Sequence, residues 1–368
     1  MDRRIPVAVL GATGSVGQRF VQLLDGHPWF RAEALTGSER TQGRAYGEAC
    51  RWVLPEPMPR WAVEMPVLPS STGAVQTPLV FSALPSGAAR ELEPQLARAG
   101  ALVCSNASAH RMEADVPLLL PEVNPDHARL IELQRRRRGW AGAIVTNPNC
   151  TSTGLTVALA ALQAAFGLRR AFVVSMQALS GAGYPGVPSL DSLDNVVPYI
   201  PGEEEKVEQE SRKMLGELGP EGVREREFTV SAHSNRVAVS DGHLVCLSVE
   251  LEAPAGVEQA ARVLREYCAP EAGRGLPSAP DPVIELRPEA DRPQPRLDRM
   301  AGGGMTTVVG RLRPDPLFHL KMVILSHNTI RGAAGGSLYN AELLVQQGYL
   351  SGPAAQPATS PGAPPPTP

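Results

Sequence analysis

A cysteine acts as a nucleophile when its thiolate is stabilised, and the first turn of a helix is one place that does so. The segment Thr146-Asn147-Pro148-Asn149-Cys150-Thr151-Ser152-Thr153 offers such a place. An apolar strand precedes it, Pro148 ends that strand, and the Ala- and Leu-rich run from Gly154 to Phe166 follows with the pattern of a buried helix. Asn149 or the hydroxyls after Cys150 can cap that helix, which leaves Cys150 in its first turn with a lowered pKa as the expectation. Cys104, Cys246 and Cys268 have no such surroundings and read as structural cysteines.

The second constellation is Gly11-Ala12-Thr13-Gly14-Ser15-Val16-Gly17, which stands between the apolar run Val7 to Leu10 and a helical stretch from Gln18 to Leu24. Glycines here let the backbone approach a pyrophosphate, whose charge is met by free amides at the helix start. The spacing is GxxGxxG, a variant of the commoner form, and a tight turn without a ligand is the plainer alternative. Its place between strand and helix favours a dinucleotide held by Gly11, Thr13, Gly14, Ser15 and Val16. An NAD site carries an acidic residue at the end of the second strand; here that stretch reads Thr36-Gly37-Ser38-Glu39-Arg40-Thr41. Ser38 and Arg40 suit a ribose 2′-phosphate, against which Glu39 weighs, so NADP is the expected cofactor.

These groups need two kinds of scaffold. Short apolar runs at Arg31 to Leu35, Leu79 to Ala83, Ala101 to Cys104 and Ala143 to Thr146 alternate with helical stretches such as Gly87 to Ala99, which is the signature of a doubly wound, Rossmann-type parallel sheet. After Pro148 come strands at Ala171 to Gln177, Arg236 to Val239, Leu244 to Leu251 and Thr306 to Leu312, with a helix at Val257 to Tyr267, so a second α+β domain with a mixed sheet is expected. The division expected is 1–149 for the dinucleotide domain, completed by a returning helix at about 328–350, and 150–327 for a catalytic and dimerisation domain. From Ser351 the chain is dominated by Pro, Ala, Gly, Ser and Thr, and 351–368 reads as a disordered tail.

Composition narrows the partners. The 368 residues are 43% hydrophobic and 20% charged, an ordinary globular balance. A net charge of -3 gives no general attraction to nucleic acid or anionic lipid, and the basic run Arg135 to Arg138 reads as a solvated helix end. No apolar run approaches the roughly 18 residues that span a bilayer. Five widely spaced cysteines without a CxxC pair argue against a disulfide framework and against a metal site, and point to the reducing cytoplasm.

Asn147-Pro-Asn-Cys-Thr-Ser, the Gly-Ala-Thr-Gly-Ser-Val-Gly turn before it and Gln177-Ala-Leu-Ser-Gly-Ala-Gly-Tyr after it together resemble aspartate-semialdehyde dehydrogenases, in particular the archaeal and fungal branch. The likeness runs from the first strand to about Leu344. It implies the reversible, phosphate-dependent conversion of L-aspartate 4-semialdehyde to L-4-aspartyl phosphate through a cysteine thioester, in the biosynthesis of Lys, Met and Thr. Cys150 would be the nucleophile, Gln177 would orient substrate, and Arg236-Val-Ala-Val-Ser-Asp-Gly-His243 resembles the family's arginine-to-histidine segment, with His243 the acid/base and Arg236 gripping the substrate carboxylate. If Arg236 and His243 share one regular strand, their seven-residue separation puts them on opposite faces, so the Asp241-Gly242 turn must redirect His243. The resemblance further implies Glu203 at the substrate amine, Lys206 and Arg111 at phosphate, and Ser180, Gly181 and Asn328 at the cofactor. On its charges alone, the run Glu203 to Lys213 reads equally well as a solvated, salt-bridged face. A homodimer or homotetramer is implied, with the second domain's sheet as the interface. Malonyl-CoA reductase and N-acetyl-gamma-glutamyl-phosphate reductase share the chemistry; Arg236 with Glu203 disfavours the first, and Asn-Pro-Asn-Cys in place of Asn-Pro-Gly-Cys the second. A silent dinucleotide sensor would have lost the nucleophile or its partner, and both remain.

Overall fold

Strands too short to cross a sheet unaided are buried on both faces when helices cover them, and the first part of the chain is built this way. A computed structural model describes residues 3–350; the tail expected at 351–368 lies outside them. Six parallel strands, β1 (Ile5–Leu10), β2 (Phe30–Gly37), β3 (Val67–Pro69), β4 (Leu79–Ser82), β5 (Leu102–Ser105) and β6 (Ala143–Thr146), lie in the order β3-β2-β1-β4-β5-β6. The order reverses beside β1, which pairs with β2 on one side and β4 on the other. Such a switch point opens a crevice at the carboxyl ends of the strands, and the helix Ser15–Leu23 begins there. Phe20 of that helix stacks on Phe81 of β4 at 4.9 Å between ring centroids, which fixes the helix on the sheet.

The second sheet is mixed, as the sequence indicates. Its strands are β7 (Leu168–Gln177), β10 (Thr229–Arg236), β11 (His243–Leu251), β12 (Ile284–Arg287), β13 (Thr307–Pro314) and β14 (Leu320–Ser326), ordered β10-β7-β11-β14-β13-β12, while β8 (Glu217–Gly219) and β9 (Gly222–Arg224) form a separate hairpin. The strand expected at Arg236 to Val239 is a correction: β10 ends at Arg236, and residues 237–242 are a link. Pairing with β7 runs out at Arg236 opposite Gln177, after which the link bonds instead to the loop beyond β7, with Leu179 N–H donating to Val239 O. Arg236 and His243 therefore do not share one strand. They stand on the two strands that flank β7, so the pleat of a single strand does not set which way each faces.

One face of this sheet packs on the helix Cys150–Phe166, which is buried from Thr151 to Leu162. Gly154 allows the close approach, because a Cβ there would lie 2.6 Å from Ser326 Cβ. The opposite face presents Phe172, Val174, Met176, Leu244, Cys246 and Val323, all half-buried or exposed in the single chain. The final helix, Gly335–Gln346, returns to the first sheet and places Leu338, Tyr339, Leu343 and Leu344 in its core.

A π-helical turn, Ile330–Ala334, leads into that helix and carries Arg331, which is wholly buried. Its Nε donates to Glu122 Oε1 at 2.8 Å, and the two form a buried ion pair. Removing one partner strands the other charge in the core, so Arg331→Met should lower unfolding free energy by about 3–5 kcal/mol in urea titrations, and a loss under about 1 kcal/mol contradicts this reading.

Candidate active site

Three adjacent strands deliver three polar side chains to one edge: Gln177 ends β7, Arg236 ends β10 and His243 begins β11. All three are buried. Gly242, at a φ of 96°, makes the turn that brings the chain into β11. Across the seam, β6 leads through Asn147 and Pro148 to the helix Cys150–Phe166, whose cap is Asn149. Asn149 Oδ1 accepts from Thr151 N–H at 2.9 Å and from Ser152 N–H at 3.3 Å, so the first turn is fixed and Cys150 faces the strand ends. Cys150 Sγ lies 3.2 Å from His243 Nε2. Gly181 packs into the same corner; a Cβ there would be 2.7 Å from Arg236 NH1 and 3.1 Å from His243 Nε2.

The charged helix Glu203–Met214 supplies the rest. Its charges are not all solvated: Glu203, Glu210 and Lys213 are buried, while Glu205 is exposed. Glu203 accepts from Asn149 Nδ2 at 2.8 Å, Gln177 Nε2 at 3.2 Å and Lys206 Nζ at 2.7 Å. Burial alone would raise its pKa, but Lys206, Asn149 and Gln177 outweigh that and hold it below the ordinary carboxylate range. Glu210 bridges Arg111 NH1 at 2.9 Å and Asn149 N–H at 2.6 Å. Lys213 donates to the backbone oxygens of Arg111, Glu113 and Val116, pinning the loop that carries Arg111. Arg111 Nε is buried without a partner, a donor ready for an anion.

The lowered pKa expected for Cys150 is overturned. The protein packed around the sulfur pushes the thiol up to about 12, Glu203 adds to the rise, and Arg111 and Arg236 oppose it. Burial, aided by Arg236, holds His243 down to about 3. The resting pair is thus a neutral thiol beside a neutral imidazole, and the helix start does not by itself overcome desolvation.

A cleft of about 290 Å³ collects Val16, Arg111, Cys150, Ser180, Gly181, Glu203, Lys206 and Asn328 on its walls. Asn328 is tied across it, accepting from Gly242 N–H at 2.8 Å and donating to Ser180 Oγ at 2.7 Å. Asn106, Ser86 and Ser108 also line the cleft; the sequence assigned no role to them or to Glu210, and marked Lys213 only as the end of the charged run. Glu210 follows Glu203 by two helical turns, so a buried Glu203 face could have revealed it. Gly332 gave no signal at all; it lies in the π-helical turn and abuts Cys150.

The glycine turn fits a dinucleotide. Gly11 has a φ of 67° and a Cβ there would lie 2.9 Å from Ala83 O, while a Cβ on Gly17 would be 2.2 Å from Gly11 O. Gly14 caps the helix Ser15–Leu23 with no side chain over its amides, so the backbone around Thr13 to Val16 is open to a phosphate. Ser38 and Arg40 are exposed just beyond β2, apart from the cleft, and the last residue of β2 is Gly37, not an acid. A thiol–imidazole pair beside a dinucleotide crevice defines an aldehyde dehydrogenase that works through a thioester.

Comparison with known proteins makes this specific. Residues 6–131 match the semialdehyde dehydrogenase NAD-binding domain, and residues 159–331 match the semialdehyde dehydrogenase dimerisation domain. A protein of Archaeoglobus fulgidus named aspartate-semialdehyde dehydrogenase is 51% identical over 94% of this chain and 99% of its own length. One of Methanothermobacter thermautotrophicus with the same name is 48% identical over 92% and 99%. The crystal structure of aspartate-semialdehyde dehydrogenase with NADP from Candida albicans superposes with a TM-score of 0.84 at 40% identity, over 93% of this chain and 98% of that one. The chain belongs to the aspartate-semialdehyde dehydrogenase family.

The contact between Gly332 and Cys150 leaves no room for a side chain, since a Cβ would lie 2.7 Å from Cys150 Cβ and 2.9 Å from its Cα. Gly332→Ala must shift the nucleophile, and a displacement of that order costs about a hundredfold in kcat. Calorimetric NADP binding should be unchanged; a kcat within about twofold of the parent contradicts the assigned contact.

Proposed function

We propose that the chain catalyses the reversible, phosphate-dependent interconversion of L-aspartate 4-semialdehyde and L-4-aspartyl phosphate with NADP, through a thioester on Cys150. The observation that carries this reading is the convergence of Cys150 and His243 at 3.2 Å with Glu203, Lys206, Arg111 and Arg236 around them. A carboxylate is a poor hydride acceptor, whereas a thioester carbonyl is electrophilic, which is why a sulfur nucleophile is needed.

The residues divide the substrate by charge. Arg236 has a planar fork suited to the substrate carboxylate, and Glu203 meets its ammonium group. Gln177, bonded to Glu203, orients the carbon that Cys150 attacks. Arg111, with its unpartnered Nε, and Lys206 bind phosphate. The turn from Gly11 to Val16 holds the cofactor's pyrophosphate, Ser38 and Arg40 its 2′-phosphate, and Ser180, Gly181 and Asn328 its nicotinamide end. When bound, the cofactor supplies or accepts hydride at the thioester carbon.

The dinucleotide domain is 1–149 with 328–350, and the catalytic and dimerisation domain is 150–327. The open face of the second sheet, with Val174, Met176, Cys246 and Val323, joins two chains into a homodimer, in keeping with the matched dimerisation domain. A homotetramer would pair two such dimers. The cysteines among the described residues are free, and a reducing cytoplasm would keep Cys150 so.

NADP reduction with aspartate semialdehyde, run with and without phosphate, tests the reading. Steady turnover should require phosphate, with Arg111→Ala raising the KM for phosphate about tenfold or more and leaving the KM for aldehyde little changed. Phosphate-independent turnover, or none, rules the proposal out.

A further inference from the structure

The glycine turn is held from within by two side chains that line no part of the cleft. Tyr46, on the short helix Tyr46–Ala49 between β2 and β3, is wholly buried, and its hydroxyl donates to Ala12 O at 2.8 Å. Gln18, also buried, donates through Nε2 to Thr13 O at 3.0 Å and to Arg51 O at 2.9 Å, while its Oε1 accepts from Val53 N–H at 2.8 Å. We infer that Tyr46 and Gln18 are positioning residues that set the affinity for the dinucleotide, because they hold two successive peptides of the turn and keep the Thr13 N–H free for its pyrophosphate; the inference rests on the cofactor reading above.

A trans peptide is planar, with its C=O and N–H pointing opposite ways. The peptides of the turn are trans, since the cis bonds among the described residues all precede prolines outside it. Tyr46 draws the oxygen of the Ala12–Thr13 peptide into the core, which turns the Thr13 N–H away from the core. Gln18 takes the oxygen of the Thr13–Gly14 peptide, whose N–H closes the turn on Gly11 O at 3.0 Å. The Ala12 N–H is likewise used, donating to Thr36 O at 2.8 Å, so the Thr13 amide is the one left without an acceptor among the described residues. It stands beside the amides of Ser15 and Val16, where Gly14 starts the helix with no side-chain cap, and amides free at a helix start are donors for an anion.

Without the Tyr46 hydroxyl, the Ala12 oxygen loses its buried partner and the peptide is free to rotate, carrying the Thr13 N–H out of line. The cofactor would then have to fix that peptide as it binds, a cost that the parent protein meets on folding. Burial pushes the Tyr46 phenol far above its ordinary pKa, so it remains a donor at any working pH. Neither side chain bonds to a group proposed for aldehyde or phosphate, so the effect falls on the dinucleotide alone.

The test is NADP affinity, read by calorimetry on the whole chain and set beside steady-state kinetics. Tyr46→Phe should weaken NADP binding about tenfold and leave kcat at saturating NADP, and the KM values for aldehyde and phosphate, within about twofold of the parent. Gln18→Met, which keeps the phenol and loses the amide, should weaken binding at least about threefold and serves if the first variant does not fold. An unchanged dissociation constant in the folded variants overturns the inference; so does an equal rise in all three KM values, which is what a merely structural role produces. Gly14→Asp separates this from the cofactor reading: a Cβ has room there, with Gly11 O nearest at 3.4 Å, and the carboxylate would cap the free amides and repel phosphate. Loss of NADP binding in Gly14→Asp with parental affinity in Tyr46→Phe overturns only the positioning role, whereas parental affinity in Gly14→Asp overturns the reading of the turn and the inference with it.

Discussion

The structure depends on keeping a sulfur and an imidazole together, uncharged, at a buried seam between two sheets. Cys150 reaches the seam from the first sheet, as the residue after the cap that follows β6; His243 reaches it from the second, as the first residue of β11. Each would lose heavily by ionising alone in this setting, since burial raises the thiol and lowers the imidazole. The groups that can change the balance are the cations nearby. Arg111 and Arg236 favour the thiolate, while Glu203 opposes it. In the role proposed for Glu203, a substrate ammonium would reduce that opposition as the aldehyde arrives and would tie formation of the nucleophile to occupancy of the site.

Around this pair the protein places charges where a soluble helix would put apolar residues. Glu203, Glu210 and Lys213 are inside, and each is matched: Glu203 by Lys206, Asn149 and Gln177, Glu210 by Arg111 and the Asn149 amide, Lys213 by three carbonyls. Buried charge is tolerated only under such conditions, because an unmatched ion costs several kcal/mol. The same bonds that satisfy the carboxylates also fix Asn149, and with it the start of the nucleophile's helix. Stability and positioning are here one network. Asn328 extends it by joining Ser180 to the turn before His243.

Much of this was legible in the chain itself. The Gly11 to Gly17 turn and the apolar runs around it specify a parallel sheet with its crevice, because strand, glycine turn and helix follow one another locally. Asn149 and Pro148 specify the helix start for the same reason. The thiol's raised pKa was not legible, since the burial that causes it comes from segments distant in sequence, such as the turn at Gly332, and Glu203, which adds to it, is distant as well. Nor was the split between Arg236 and His243, because strand ends are set by when pairing with β7 runs out. The burial of the Glu203 helix face depends on partners at Asn149, Gln177 and Arg111 that only folding assembles. Gly332 shows the limit most plainly, for its need to be glycine arises wholly from a contact with Cys150.

The most direct measurement is of the thioester itself. The enzyme is mixed with aspartate semialdehyde and NADP in the absence of phosphate, quenched in acid, and digested for peptide mass analysis, while NADPH is followed by absorbance. A burst of NADPH equal to the active sites, with an aspartyl group recovered on the Cys150 peptide and released by added phosphate, is the result that covalent catalysis by this sulfur requires. An acyl group on another residue, or a burst with Cys150 unmodified, contradicts it.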